Sequence, residues 1–120
     1  MKTLLSTITP VLITLAALAA GCSKEPAGAT TPTNGSVDVV VDKTGFVPAV
    51  IQAKVGEPLT LKITRKTDST CAREIVIKSA GINQPLPLNQ TVSVTVTPKE
   101  KGEMRFACAM DHVAGKLVVD

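Results

Sequence analysis

The chain has 120 residues, with 13 Lys plus Arg against 10 Asp plus Glu, a formal net charge of +3, and neither Trp nor Tyr. From Val37 onward the balance is 11 basic to nine acidic side chains, with no basic stripe, so nucleic-acid binding is not expected. The length suggests one domain, and the first third does not read as part of it.

Residues 1–21 carry the pattern of an export signal. Lys2 supplies the positive start, and the stretch from Leu4 to Ala20 is apolar apart from Ser6, Thr7, Thr9, Pro10 and Thr14. That is too short and too interrupted for a membrane span. It closes on Leu18-Ala19-Ala20-Gly21-Cys22, small residues directly before a cysteine, which resembles the bacterial lipobox. The resemblance implies that Cys22 becomes the lipid-bearing first residue of a mature, membrane-anchored protein facing the periplasm. Ser23 after it favours the outer membrane if the host has two. The alternative is ordinary signal cleavage near Ala20, which leaves Cys22 a stray thiol. Residues 22–36 are then a flexible tether: SKEPAGATTPTNGS after Cys22 has two Pro, two Gly and no large apolar residue, and cannot bury enough surface to offset the entropy of ordering it.

The folded part is expected over residues 37–120, and it reads as strand after strand. Val37, Val39 and Val41 alternate with Asp38, Val40 and Asp42. Residues 43–45 form a turn, Phe46, Val47 and Pro48 lead into a strand at 50–53, and Gly56-Glu57-Pro58 is the next break. Leu59, Leu61 and Ile63 alternate with Thr60, Lys62 and Thr64, the period-two pattern of a sheet with one wet face. Residues 66–70 are polar and turn-like. Cys71, Arg73, Ile75 and Ile77 then share one phase of a strand over 71–77. Residues 79–89 form a longer connection, in which Gly81, Pro85 and Pro87 exclude both a helix and a central strand. Val92, Val94 and Val96 restore the alternation, residues 98–102 turn the chain into Met104, Phe106 and Cys108, and Leu117-Val118-Val119 closes it. About seven short strands, turn signals at the spacing typical of sandwiches and no convincing helix predict an all-β, antiparallel β-sandwich. A domain this small buries only about 60% of its unfolded surface, so a metal or a disulfide would strengthen it noticeably.

Residues 106–115 hold the chain's one His, one of its three Cys and one of its three Met. Cys108, Met110 and His112 occupy every second position, so in an extended segment they point to one side while Ala109 and Asp111 face away. Thiolate, thioether and imidazole together suit Cu(I). The bland alternative is a buried thiol, a core Met and a solvated His at a strand end. Cys71, inward at the end of its own strand, is the thiol that can meet Cys108, and the two would then form a disulfide or bind a soft metal.

Gly45-Phe46-Val47-Pro48, Val55-Gly56-Glu57-Pro58, the Cys71 strand, Leu86-Pro87-Leu88, Lys101-Gly102-Glu103, and Phe106-Ala107-Cys108 through to Gly115-Lys116-Leu117-Val118-Val119 resemble the cupredoxin superfamily. The closest likeness is to small exported domains of bacterial copper handling. The resemblance spans 37–120 and implies a Greek-key sandwich with a copper site at one end. Carried over position by position, Cys71 takes the first-ligand slot, where cupredoxins place a His, Cys108 the thiolate slot, and Met110 and His112 the loop slots. A blue-copper site wants two His, and this chain has one. What the resemblance implies is therefore a thiolate-rich site favouring Cu(I), suited to copper sequestration or delivery, with another copper-handling protein as a candidate partner.

Two rivals stay open. A Cys71–Cys108 disulfide would make the domain a stapled structural or interaction module without metal; export favours it, and closing that loop would add about 4 kcal/mol in the chain-entropy model. An atypical one-electron copper carrier is the other. Zinc accepts Cys and His but gains nothing from Met110, so copper fits the set better. Met104 reads as packing, and Arg73, Glu74, Asp111 and Lys116 as solvated charges around the cluster. With a single His, no paired carboxylates and no Gly-rich phosphate loop, an enzyme is not expected.

Overall fold

The valine alternation folds as β1 (Ser36–Asp42), with Val37, Val39 and Val41 buried and Asp38 and Val40 facing out. In the computed structural model, which describes residues 28–120, it is followed by β2 (Gly45–Val47), β3 (Val50–Ala53), β4 (Leu59–Arg65), β5 (Glu74–Ile77), β6 (Ile82–Pro85), β7 (Thr91–Val96), β8 (Gly102–Ala107) and β9 (Ala114–Val119). One turn of 3-10 helix, Lys78–Ala80, joins β5 to β6. The strands form two sheets, ordered β2-β1-β4-β7 and β3-β9-β8-β5-β6. Each sheet turns its alternate apolar residues inward: Val39, Val41, Leu61 and Ile63 from the first meet Ile51, Ile75, Ile77, Phe106 and Leu117 from the second, all buried. Phe46 and Phe106 meet edge to face across the core, with centroids 5.2 Å apart.

The all-β sandwich is the one expected, with two differences of detail. Nine strands are present among the described residues because β2 and β6, read as a turn and a connection, are short edge strands. Pro85 closes β6, where an edge position needs no donor. Most pairings are antiparallel, but β1 runs parallel to β4 and β3 parallel to β9. Parallel neighbours need a crossover between them, and the chain makes it by visiting the opposite sheet: β2 leads to β3 before β4 returns beside β1.

Residues 30–36 fell within the tether by composition, yet they are bonded to the domain. The Thr30 amide donates to the Val50 carbonyl and its carbonyl accepts from Gln52, both at 2.9 Å, while Thr33 and Ser36 exchange backbone bonds. Such pairing uses main-chain groups that every residue but proline carries in full, so a count of apolar side chains does not reveal it. The export signal and Cys22 lie outside the described residues.

The strand directions define two poles. One gathers the end of β1, residues 66–73, residues 86–90 and residues 108–113; the other gathers the start of β1, residues 54–58 and residues 97–101.

Candidate metal centre

Cys108 directly follows β8, in phase with Phe106, and is 2% exposed. There the strand ends. The Cys108 amide donates to Val113 O and the Asp111 amide donates to Cys108 O, both at 2.9 Å, with Asp111 at φ 62°. This turn corrects the extended alternation expected over 108–112. Cys108 points into the sandwich, while Met110, 68% exposed, and His112 stand on the outer face of the loop.

Cys71 is half-buried, and the strand expected to begin with it begins at Glu74 instead. The Arg73 amide donates to Cys71 O at 2.9 Å, a three-residue turn, and the Thr70 hydroxyl accepts from the Ala72 amide at 3.1 Å. The segment bearing Cys71 is thus a structured loop. Its brace is Arg65, the last residue of β4, in phase with Leu61 and Ile63 and only 7% exposed. Arg65 Nε donates to Leu86 O at 2.6 Å, and Nη1 donates to Thr67 O at 3.1 Å and Asp68 Oδ1 at 2.7 Å. The Leu86 amide in turn donates to Arg73 O at 2.8 Å. One buried guanidinium therefore ties the end of β4, residues 67–68 and residue 86 into a single frame.

The two loops bring the Cys71 and Cys108 sulfurs to 3.3 Å, unbonded, with both thiols free. The Val113 amide lies 3.4 Å from Cys108 Sγ. Burial alone would push the Cys108 thiol up, but the amides of Val113, His112 and Met110 and the Cys71 thiol outweigh it and hold Cys108 below the ordinary thiol range. Cys71 is pushed above that range, first by its hydrogen bond to Cys108 and then by burial. The loop is held from outside by an exposed Arg105–Asp111 ion pair at 3.0 Å. From inside, Val113 packs where a Cβ on Gly45 would sit. Gly115 leaves no room for a side chain: a Cβ there would enter the Phe106 ring and lie 2.6 Å from Ala49 O.

Of the four residues singled out in sequence, two meet. Among the described residues no group of three or more His, Cys, Asp and Glu converges, so His112 is not folded onto the sulfur pair. Met104 is half-buried and packs on the core, as read. Sequence reasoning passed over Arg65, although its phase with Leu59, Leu61 and Ile63 marks it as inward.

Two facing sheets, with an inward cysteine at the end of the penultimate strand and a short loop before a glycine-led last strand, define the cupredoxin class. A profile of the cupredoxin-like domain matches residues 11–119, and the chain belongs to this family. Among solved structures it is similar to the metal-binding domain of the Cu(I)-exporting P-type ATPase CopA from Streptococcus pneumoniae D39, determined with Cu(I) (29% identity, TM-score 0.71, covering 77% of this chain and 95% of that one). It is also similar to a copper-binding protein determined in the apo form (31% identity, TM-score 0.69, covering 77% and 97%). A variant of amicyanin shares the fold at 19% identity (TM-score 0.53, covering 73% and 85%). No curated protein matches the chain in sequence.

Proposed function

We propose that this chain is an exported lipoprotein, anchored through Cys22 and facing the periplasm, that binds one copper ion as Cu(I) for sequestration or delivery. The observation that carries this reading is the meeting of two unbonded sulfurs at 3.3 Å, brought from loops 37 residues apart in sequence to the pole where Met110 and His112 stand. Two metal–sulfur bonds of about 2.3 Å at a tetrahedral angle want sulfurs about 3.8 Å apart, so a separation of about 0.5 Å more admits a metal. A disulfide would instead need the sulfurs to close by about 1.2 Å. Two thiolates, a thioether and an imidazole form a soft set that favours Cu(I), and the copper-binding names of the similar structures support the metal. Cys71 and Cys108 would hold the ion, and Met110 and His112 would complete it from the loop. With one imidazole available the site holds and passes copper; it is not a catalyst.

The test is an anaerobic Cu(I) titration against a competing chelator, with free thiols counted before and after. One ion per chain is expected. Cys71→Ser and Cys108→Ser should each weaken binding by more than the roughly 100-fold that loss of a supporting residue costs, with smaller losses for Met110→Ala and His112→Ala. Undiminished binding by the Cys71→Ser variant would overturn the site. If neither form binds copper and the native protein is two hydrogens lighter by mass, the cysteines are a staple.

A further inference from the structure

We infer that two copies of this chain pair antiparallel along the free edge of β7, joining their four-stranded sheets into one. The pairing calls on neither Cys22 nor the sulfur pair. It begins from a gap in the charge pattern. Charged side chains make up 19% of the chain, yet none occurs in the twenty residues from Ser79 to Pro98. These residues supply β6 and β7, each the outer strand of its sheet, on either side of a cleft lined by Ile82, Val96 and Met104. Both edges of this flank are therefore uncharged, and Ile82, Val92 and Met104 stay only half-buried along it. Depletion of charge marks the core of protein interfaces. Edge strands are ordinarily guarded by charge, proline, brevity or a covering segment. The other three edges here are guarded: β2 has three residues and runs into Pro48, β3 is covered at Ile51 by Thr30, and β6 ends on Pro85. β7 has six residues with no charge, proline or glycine. Among the described residues no other strand or bridge pairs with its outer side.

The direction of the main-chain groups of β7 follows from β4. The Thr60 amide donates to Gly35 O, toward β1, and alternate residues of a strand turn their N–H and C=O to opposite sides. Leu59, Leu61 and Ile63 therefore face β7, and the bond from the Asn89 amide to Arg65 O keeps that phase. Their partners Val96, Val94 and Val92 are bonded toward β4. Thr91, Ser93 and Thr95 thus send three N–H and three C=O groups out from the edge. A two-fold axis at Ser93 sets Thr91 opposite Thr95 of the second copy and Ser93 opposite itself. Each such pair exchanges two hydrogen bonds, which satisfies all of these groups. The same register lays Val92 against Val94 on the inner side and hydroxyl against hydroxyl on the outer, extending the Thr60–Thr95 and Thr64–Thr91 pairs at 3.0 and 2.7 Å. The axis favours a second copy over another protein. There a residue meets its own image, so a charge would repel itself, whereas a serine hydroxyl both donates and accepts. Because the strands run antiparallel, the two sulfur pairs lie at opposite ends and both stay open.

The experiment uses residues 22–120, which hold every described strand, with Cys22→Ser to remove the thiol outside the sulfur pair. Sedimentation equilibrium up to about 1 mM should show monomer and dimer with a Kd between about 1 μM and 1 mM, since an edge contact belongs to the small, transient class of interfaces. As concentration rises, amide exchange should slow at Thr91, Ser93 and Thr95 and change little at Val92, Val94 and Val96. Ser93→Glu lies opposite Lys62 in its own sheet, so the monomer should keep its unfolding midpoint. The dimer should weaken at least about tenfold, because like charges then meet at the axis. Ser93→Lys should weaken it too, and mixing the two variants should restore a heterodimer. Cys71→Ser should dimerise as the parent does. A chain monomeric at about 1 mM would leave the edge to a strand of another protein and overturn the inference. So would a dimer that Ser93→Glu leaves intact, one that the mixed charges fail to restore, or one lost in Cys71→Ser, each of which puts the contact elsewhere.

Discussion

At the scale of single residues, the two thiols differ because one is surrounded by donors. Cys108 receives the Val113 amide at 3.4 Å and the Cys71 thiol at 3.3 Å, which offset its burial and hold it below the ordinary thiol range. Cys71 is raised, first by its hydrogen bond with Cys108 and then by burial. The depressed group contributes stability above its unfolded value and loses it as pH falls through the folded value. The raised group contributes below its unfolded value and loses it as pH rises through the folded one. The pair's contribution to the copper-free domain therefore peaks near the ordinary thiol range and declines on both sides. Urea melts across pH, compared with a variant carrying Cys71→Ser and Cys108→Ser, should show that extra maximum in the native chain alone. In a thiolate absorbance titration, Cys71→Ala should leave one step, moved upward from the first step of the native chain. Cys108 was legible in sequence because it continues the apolar phase of β8; Cys71 was legible as the thiol able to meet it, although it sits in the loop before β5 and not in the strand expected there. The placement of Met110 and His112 was not, because the alternation holds only while the backbone stays extended. Asp111, a residue type that tolerates the left-handed conformation, turns the chain just there.

At the scale of elements, the Cys71 loop owes its shape to a charge buried where the pattern of β4 would accept Leu. Replacing Arg65 by Met keeps the bulk but strands the carbonyls of Leu86 and Thr67. Each buried group left unpaired costs about 1–3 kcal/mol. Arg65→Met should therefore destabilise the domain by at least about that much in chemical denaturation, and it should also weaken Cu(I) binding, because residues 67–73 lose their frame. Asp68→Ala removes only the exposed partner and leaves Arg65 bonded to the carbonyls of Leu86 and Thr67; its loss should be smaller than that of Arg65→Met, and copper affinity should hardly move. A second element-level constraint is the seam of β8 and β9. Gly115→Ala drives a methyl group into Phe106 and toward Ala49 O, and overpacking of this kind costs about 1–3 kcal/mol. Equilibrium unfolding should show that loss. The seven strands legible in sequence are those with several alternating apolar residues. β2 and β6 escaped because an edge strand of three or four residues, closed by proline or opened by glycine, carries too few alternations to stand out from a turn.

At the scale of the molecule, the pole where the two sulfurs meet is also the pole where the sandwich is least like a sheet. β5 meets β8 through a single register pair, Val76 with Ala107. Residues 66–73 and 108–113 are held by turns, one buried guanidinium and one exposed ion pair. The opposite pole is closed by paired strands, with Leu59 opposite Val96 and Gly102 opposite Val119. A ligand that bridges the two loops should therefore stabilise the part of the fold with the fewest ladder bonds. By mass action, Cu(I) held at about 100 times its dissociation constant adds about 2.7 kcal/mol. In a domain of this size each kcal/mol raises the melting temperature by about 4–8 °C. Calorimetry under reducing, anaerobic conditions should then show a rise of about 10–20 °C on loading, absent in Cys71→Ser and Cys108→Ser. Hydrogen exchange should place the gained protection in residues 66–73 and 108–113, with the β1–β4 and β4–β7 ladders unchanged. A uniform gain across both sheets would mean that copper acts elsewhere than between the two sulfurs.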